Sequence, residues 1–100
     1  MLRVEFDAEL WIWEASGEGS WHFVSLPGDL ADDLREQRGH RAAGFGSLRV
    51  EATIGSSTWR TSVFPDKQRQ TYVLPVKKAV RSAEGLAEGS TVRVELEVLV

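Results

Sequence analysis

Leu2, Val4, Phe6, Ala8, Leu10 and Ile12 share one parity of the chain, and Arg3, Glu5, Asp7 and Glu9 share the other. Alternation over that length predicts one long strand, Leu2 to Ile12, with a single buried face. Trp11 and Trp13 take the polar parity at its far end. Either they form an aromatic patch outside or, as the favoured reading, a bulge or closure of the sheet buries them. Ser16-Gly17-Glu18-Gly19-Ser20 predicts a turn, and Trp21 to Leu26 a second strand that pairs with the first as a hairpin before Pro27 stops it. A helix follows over Gly28 to Arg38, with Leu30, Ala31 and Leu34 as its inner stripe. Asp29, Asp32 and Asp33 stand in its first turns, and Arg35 and Arg38 in its last, the order that suits the helix dipole. Gly39 is its stop.

Arg41 to Gly46 reads as a loop. Ser47 to Ile54 alternates as a strand, and Gly55-Ser56-Ser57 turns the chain into a strand over Thr58 to Phe64. Asp66 to Arg69 is a polar turn, Gln70 to Leu74 a short strand ended by Pro75, and Val76 to Glu84 a helix with Val76, Ala79, Val80 and Ala83 on one side. The last strand, Thr91 to Val100, buries Val92, Val94, Leu96 and Val98. The order β-β-α-β-β-β-α-β predicts a mainly β fold. Its expected form is a small closed or nearly closed barrel of about six strands with two short helices, in one domain over residues 1–100.

Two stretches are alike. Phe23-Val24-Ser25-Leu26-Pro27 and Tyr72-Val73-Leu74-Pro75 each lead into a helix. Each helix is followed by Gly-Ser (Gly46-Ser47, Gly89-Ser90) and a strand containing Arg-Val-Glu, at 49–51 and at 93–95. Chance and duplication explain this equally well. A duplication would relate two halves by a pseudo-twofold axis, with a groove along the axis as the natural site.

Composition narrows the class. Of 100 residues, 42% are hydrophobic and 27% charged, enough apolar surface to exclude a disordered chain. No apolar run approaches the ~20 residues that span a bilayer. The first residues lack a signal-peptide core, and there is no cysteine, so a cytoplasmic setting is expected. The net charge of −3 gives no reason to expect an anionic membrane as partner and does not favour nucleic acid.

Several ordered motifs carry a resemblance. Trp21 to Pro27, Gly44-Phe45-Gly46-Ser47, Thr58 to Asp66, Tyr72 to Arg81 and Gly85 to Gly89 together resemble domain of unknown function 1905 over nearly the whole chain. The resemblance implies a small barrel from mostly bacterial and archaeal proteins, with no assigned activity. A fainter likeness joins Leu74-Pro75, Arg81 and Gly85 to Val94 to the swapped-hairpin transcription-regulator and antitoxin domains. The first half here lacks the basic residues that DNA binding in those domains would imply.

Lys77, Lys78 and Arg81 form the densest basic cluster. Lys77 and Arg81, four apart on a helix, share a face and can meet a phosphate or carboxylate with help from Arg60; a solvated face bridged to Glu84 or Glu88 is the bland alternative. Trp21 and Trp59 are assigned to the core, and exposed Trp11 and Trp13 would stack on a ring or a partner. His22 and His40 lack the partners of a metal site, and Gly44-Phe45-Gly46 is too short for a dinucleotide fingerprint. The favoured function is a non-enzymatic binding or interaction module, without metal or cofactor, as a monomer or weak homodimer. Its groove takes a small anionic ligand at Lys77, Arg81 and Arg60 beside Trp11 and Trp13, or else a protein partner. The alternatives are an enzyme on a small anionic substrate with His22 as base, and a nucleic-acid binder.

Overall fold

A computed structural model describes residues 2–15, 19–38 and 46–99. The expectations for Ser16-Gly17-Glu18, Gly39, His40, the loop before Gly46 and Val100 lie outside the described residues. The strands are β1 (Leu2–Glu9), β2 (Trp11–Ala15), β3 (Gly19–Ser25), β4 (Leu48–Ile54), β5 (Ser57–Asp66), β6 (Thr71–Pro75) and β7 (Thr91–Val98). The helices are α1 (Gly28–Arg38), after β3, and α2 (Lys78–Glu84), after β6. All pairings are antiparallel, in the order β1-β7-β4-β5-β6-β3-β2. The sheet is an open half-barrel of seven strands, which corrects the closed or nearly closed six-stranded barrel expected from sequence.

The correction has a local cause at Leu10. Its N–H donates to the Ser90 carbonyl at 2.9 Å, and its own carbonyl accepts from the Gly89 N–H at 2.8 Å. Those loop partners interrupt the ladder, so the expected strand Leu2 to Ile12 becomes two. Before Leu10 the chain pairs with β7; after it, with β3. The two edges of the sheet are therefore consecutive stretches of one chain, joined covalently instead of by a ladder. Strand β5 divides its pairing too, Ser57 to Val63 with β4 and Phe64 to Asp66 with β6.

Parity survives the break, so Trp11 and Trp13 stay on the outer face and no bulge turns them inward. Trp13 is 51% exposed and Trp11 half-buried. The inner face gathers Phe6, Leu10, Val24, Val50, Val63, Leu74 and Leu96 into one core. Helix α1 seals it with Ala31 and Leu34, and α2 adds Val80. Where the chain enters α1, the buried Thr71 hydroxyl donates to the Leu26 carbonyl at 2.6 Å. No described helix is long and apolar enough to cross a membrane.

The like stretches pair in equivalent ways. Matching Leu26-Pro27 to Leu74-Pro75 turns the pair Val24–Leu74 into Tyr72–Leu26, and the Leu26 N–H does donate to the Tyr72 carbonyl at 2.9 Å. Matching the Arg-Val-Glu strands turns Val50–Val98 into Val94–Ile54, also a pair in the same ladder. Ala8–Val92 likewise corresponds to Val63–Leu48. Each half thus runs long strand, strand, helix, strand. Its long strand pairs with its own second strand and with the last strand of the other half.

Gly55 fixes the β4–β5 turn. Its φ is +59°, and a Cβ there would fall on the Glu84 carboxylate, which accepts from the Ser57 hydroxyl at 2.6 Å. A left-handed non-glycine residue costs about 1–2 kcal/mol. Gly55→Ala is therefore expected to lower the melting temperature by at least several degrees. Gly28→Ala, at a helix start with open space around it, should leave it unchanged or raise it. Calorimetric melting of both variants checks this.

Candidate functional site

The residues that end β6 and begin α2 meet β3 and β5 from outside the core. Val76 is buried, and its N–H donates to the His22 carbonyl at 2.9 Å, fixing the strand-to-helix crossing against β3. Lys77 then stands at the cap of α2 with its side chain exposed. Between these elements lies a cleft of about 300 Å³. Ser20, Trp21 and His22 line it from β3, Trp59, Arg60 and Thr61 from β5, and Pro75, Val76, Lys77 and Arg81 from the far side.

The expected anion residues Lys77, Arg81 and Arg60 are therefore brought together, and His22 joins them. Lys78 does not line the cleft, and Trp11 and Trp13 lie apart from it on the outer face of β2. Trp59 is buried as expected. Trp21, assigned to the core from sequence, is instead 52% exposed. Its strand carries apolar residues on both parities, and Val24 takes the inner face, leaving Trp21 and Phe23 outside.

Arg81 organises one wall. Its Nε donates to the Val76 carbonyl at 3.1 Å, and its Nη1 lies 3.2 Å from His22 Nε2. Guanidinium nitrogens only donate, so Nε2 must accept and the imidazole proton sits on Nδ1. That nitrogen is buried and has no hydrogen-bond partner among the described residues. Burial holds the imidazole below the usual histidine range, the Arg81 charge pushes in the same direction, and Glu88 partly offsets them. Arg60 leans toward Glu51 at 3.4 Å with its side chain 68% exposed, a contact too solvated to fix it. Lys77 forms no ion pair with any described residue.

The described residues lining the cleft include three full cations and no carboxylate. Another cavity, about 560 Å³, differs in carrying carboxylates in its own lining, Asp32 paired with Arg35 at 3.0 Å and Asp66 with Arg69 at 2.9 Å. The outer face of β1 and β7 is a mixed lattice in which Arg3 pairs with Glu95 and Arg93 with Glu5 and Asp7. Among the described residues no three His, Asp or Glu side chains gather as metal ligands would.

A second concavity, about 340 Å³, lies on the outer face where β2, β3, β5 and β6 run side by side. Trp13, Trp21, Phe23, Phe64, Val73 and Pro75 line it. Trp13 and Trp21 are cross-strand partners, and Trp21 stacks on Phe23 at 6.2 Å and 10°. Trp11 closes the row: its Nε1–H donates to the Ser25 hydroxyl at 3.0 Å, and the Arg69 guanidinium lies 4.0 Å from its ring centre. Parity marks Trp11 and Trp13 as one candidate outer patch, and cross-strand pairing brings Trp21, Phe23 and Phe64 to it.

A family model described as a domain of unknown function (DUF1905) matches residues 6–96. No curated protein matches the chain significantly.

The histidine makes stability depend on pH in a definite sense. Its folded pKa lies below the unfolded value near 6.5, so the unfolded chain binds more protons in the window between them. The His22 contribution is intact above that window and is lost as the pH falls through it. Urea unfolding of the natural protein and of His22→Gln at pH 7.5 and 5.5 should show the larger acid loss in the natural protein. Equal losses would contradict this reading of His22, which faces Arg81 and Glu88.

Proposed function

The chain belongs to the family of domain of unknown function 1905, and within it we propose a non-enzymatic binding module whose cleft takes a small anionic ligand. One observation carries the reading. A chain of net charge −3 concentrates Arg60, Lys77 and Arg81 around a single cleft whose described lining has no carboxylate. Cations side by side repel one another, with only the exposed Arg60–Glu51 contact to offset them, and an anion between them relieves that repulsion. Arg81 is held by Val76 and His22, so one cation is already oriented before binding.

The alternatives have less behind them. A general base needs a free lone pair, but His22 Nε2 accepts from Arg81 and Nδ1 is shielded. Duplex binding wants one continuous basic face, whereas the arginines of β1 and β7 are interleaved with carboxylates. A cytoplasmic, monomeric or weakly dimeric protein without cofactor remains part of the proposal, supported by the absence of cysteine.

Inorganic phosphate is the simplest test. Titration followed by Trp fluorescence should saturate, since Trp21 and Trp59 line the cleft. Lys77→Ala and Arg60→Ala should each weaken binding about fivefold, equivalent to ~1 kcal/mol. Neither should shift the melting temperature of the free protein, because both side chains are exposed. Arg93→Ala, on the opposite face, should change nothing. Absence of saturation, or affinity indifferent to Lys77 and Arg60, would overturn the proposal.

A further inference from the structure

The cationic cleft and the aromatic concavity adjoin, with Trp21 and Pro75 lining both, so two chemistries lie side by side. We propose that the ligand is an aromatic ring carrying a phosphate or carboxylate, its anionic end among Lys77, Arg60 and Arg81 and its ring laid across Trp21 toward Trp13; this rests on the anion-site reading above. Three side chains make the case for the ring. Trp13 is 51% exposed, Trp21 52% and Phe64 41%, and all three line the same concavity. Large aromatics left in water on one face mark a surface kept for contact. Trp21 and Phe23 stack with nearly parallel planes, and Trp21 is still half exposed, so indole surface is open to a further ring.

Size and charge choose the occupant. The two concavities, about 300 and 340 Å³, each fall at the small end of ligand pockets. A stable protein interface covers about 800 Å² on each partner, far more than one row of rings offers. The positive charge lies at one end only, which suits a ligand that is itself anionic at one end. A simple anion would leave Trp13 and Phe64 uncovered, and an uncharged ring would leave Lys77 without a counter-charge among the described residues.

The probes are inorganic phosphate, 1-naphthyl phosphate, 1-naphthoate, octyl phosphate and 1-naphthol, titrated calorimetrically into the natural protein and into Trp21→Ala, Trp13→Ala and Lys77→Ala. The expected result is that 1-naphthyl phosphate or 1-naphthoate binds at least tenfold tighter than inorganic phosphate, the naphthyl partner preferred showing which anion the site takes. Trp13→Ala, outside the cationic cleft and half exposed on an edge strand, should erase most of the gain while leaving phosphate affinity within about twofold. Trp21→Ala, at a residue that lines both concavities, should lose the gain as well, and Lys77→Ala should weaken every anion. Phosphate binding with no gain from the ring would overturn this inference and leave the anion site standing. Failure of all the anions would remove both. Octyl phosphate matching 1-naphthyl phosphate, or 1-naphthol binding as tightly and indifferently to Lys77→Ala, would also overturn it. So would self-association in sedimentation that Trp13→Ala abolishes, since a second copy would then own the face.

Discussion

Leu10 has no partner in a strand. Its two backbone groups go to Gly89 and Ser90, and there the first strand leaves one ladder and enters another. Strand β5 divides itself between β4 and β6 in the corresponding place of the other half. An antiparallel sheet whose members all kept a single pair of neighbours would stay a flat ribbon with one side wet. By sharing two strands between both ends, this sheet folds over its own inner face and encloses Val24, Val50, Leu74 and Leu96. The helices then have only the open flanks to cover, which explains how a seven-residue α2 suffices.

The two halves share this scheme but not their surfaces. Outside β1 and β7, arginines alternate with carboxylates, a solvated face in which each ion pair contributes little. Outside β2, β3 and β5 stand the rings of Trp13, Trp21, Phe23 and Phe64. After the first Leu-Pro turn the groove beside α1 holds Asp32 with Arg35 and Asp66 with Arg69. After the second, the groove beside α2 holds cations without those acids. Matching the Leu-Pro pairs puts Gln70 opposite His22. One copy of the motif is electrically closed and the other open, and the difference lies in a few side chains the ladders do not need.

Much of the frame was legible along the chain because alternation is a local signal. The strands of β1, β4 and β7 and the limits of α1 follow from parity, Pro27 and the charge order of the helix. Trp21 was misjudged because Trp21-His22-Phe23-Val24 offers apolar residues to both faces, and only packing against Leu74 shows that Val24 wins. The open sheet was misjudged because hydrogen bonds from Leu10 to a distant loop leave no mark on periodicity. Lys77 and Arg81 were visible as helix neighbours. Their meeting with Arg60, His22 and the rings was not, since it depends on β3, β5 and β6 coming side by side.

The pairing of β1 with β7 also sets an order of events. The earliest strand to leave the ribosome has the last strand as its ladder partner, Leu2 opposite Val98 and Glu9 opposite Thr91. Strand β4 waits in the same way for β7 along one of its edges. Neither half can therefore complete its core before β7 is made, and the β1–β7, β3–β6 and β4–β7 ladders join residues far apart in sequence. Such a topology folds slowly for its size. Until β7 emerges, the nascent domain carries an unpaired edge and the exposed rings of Trp13 and Trp21 together, the combination that invites aggregation.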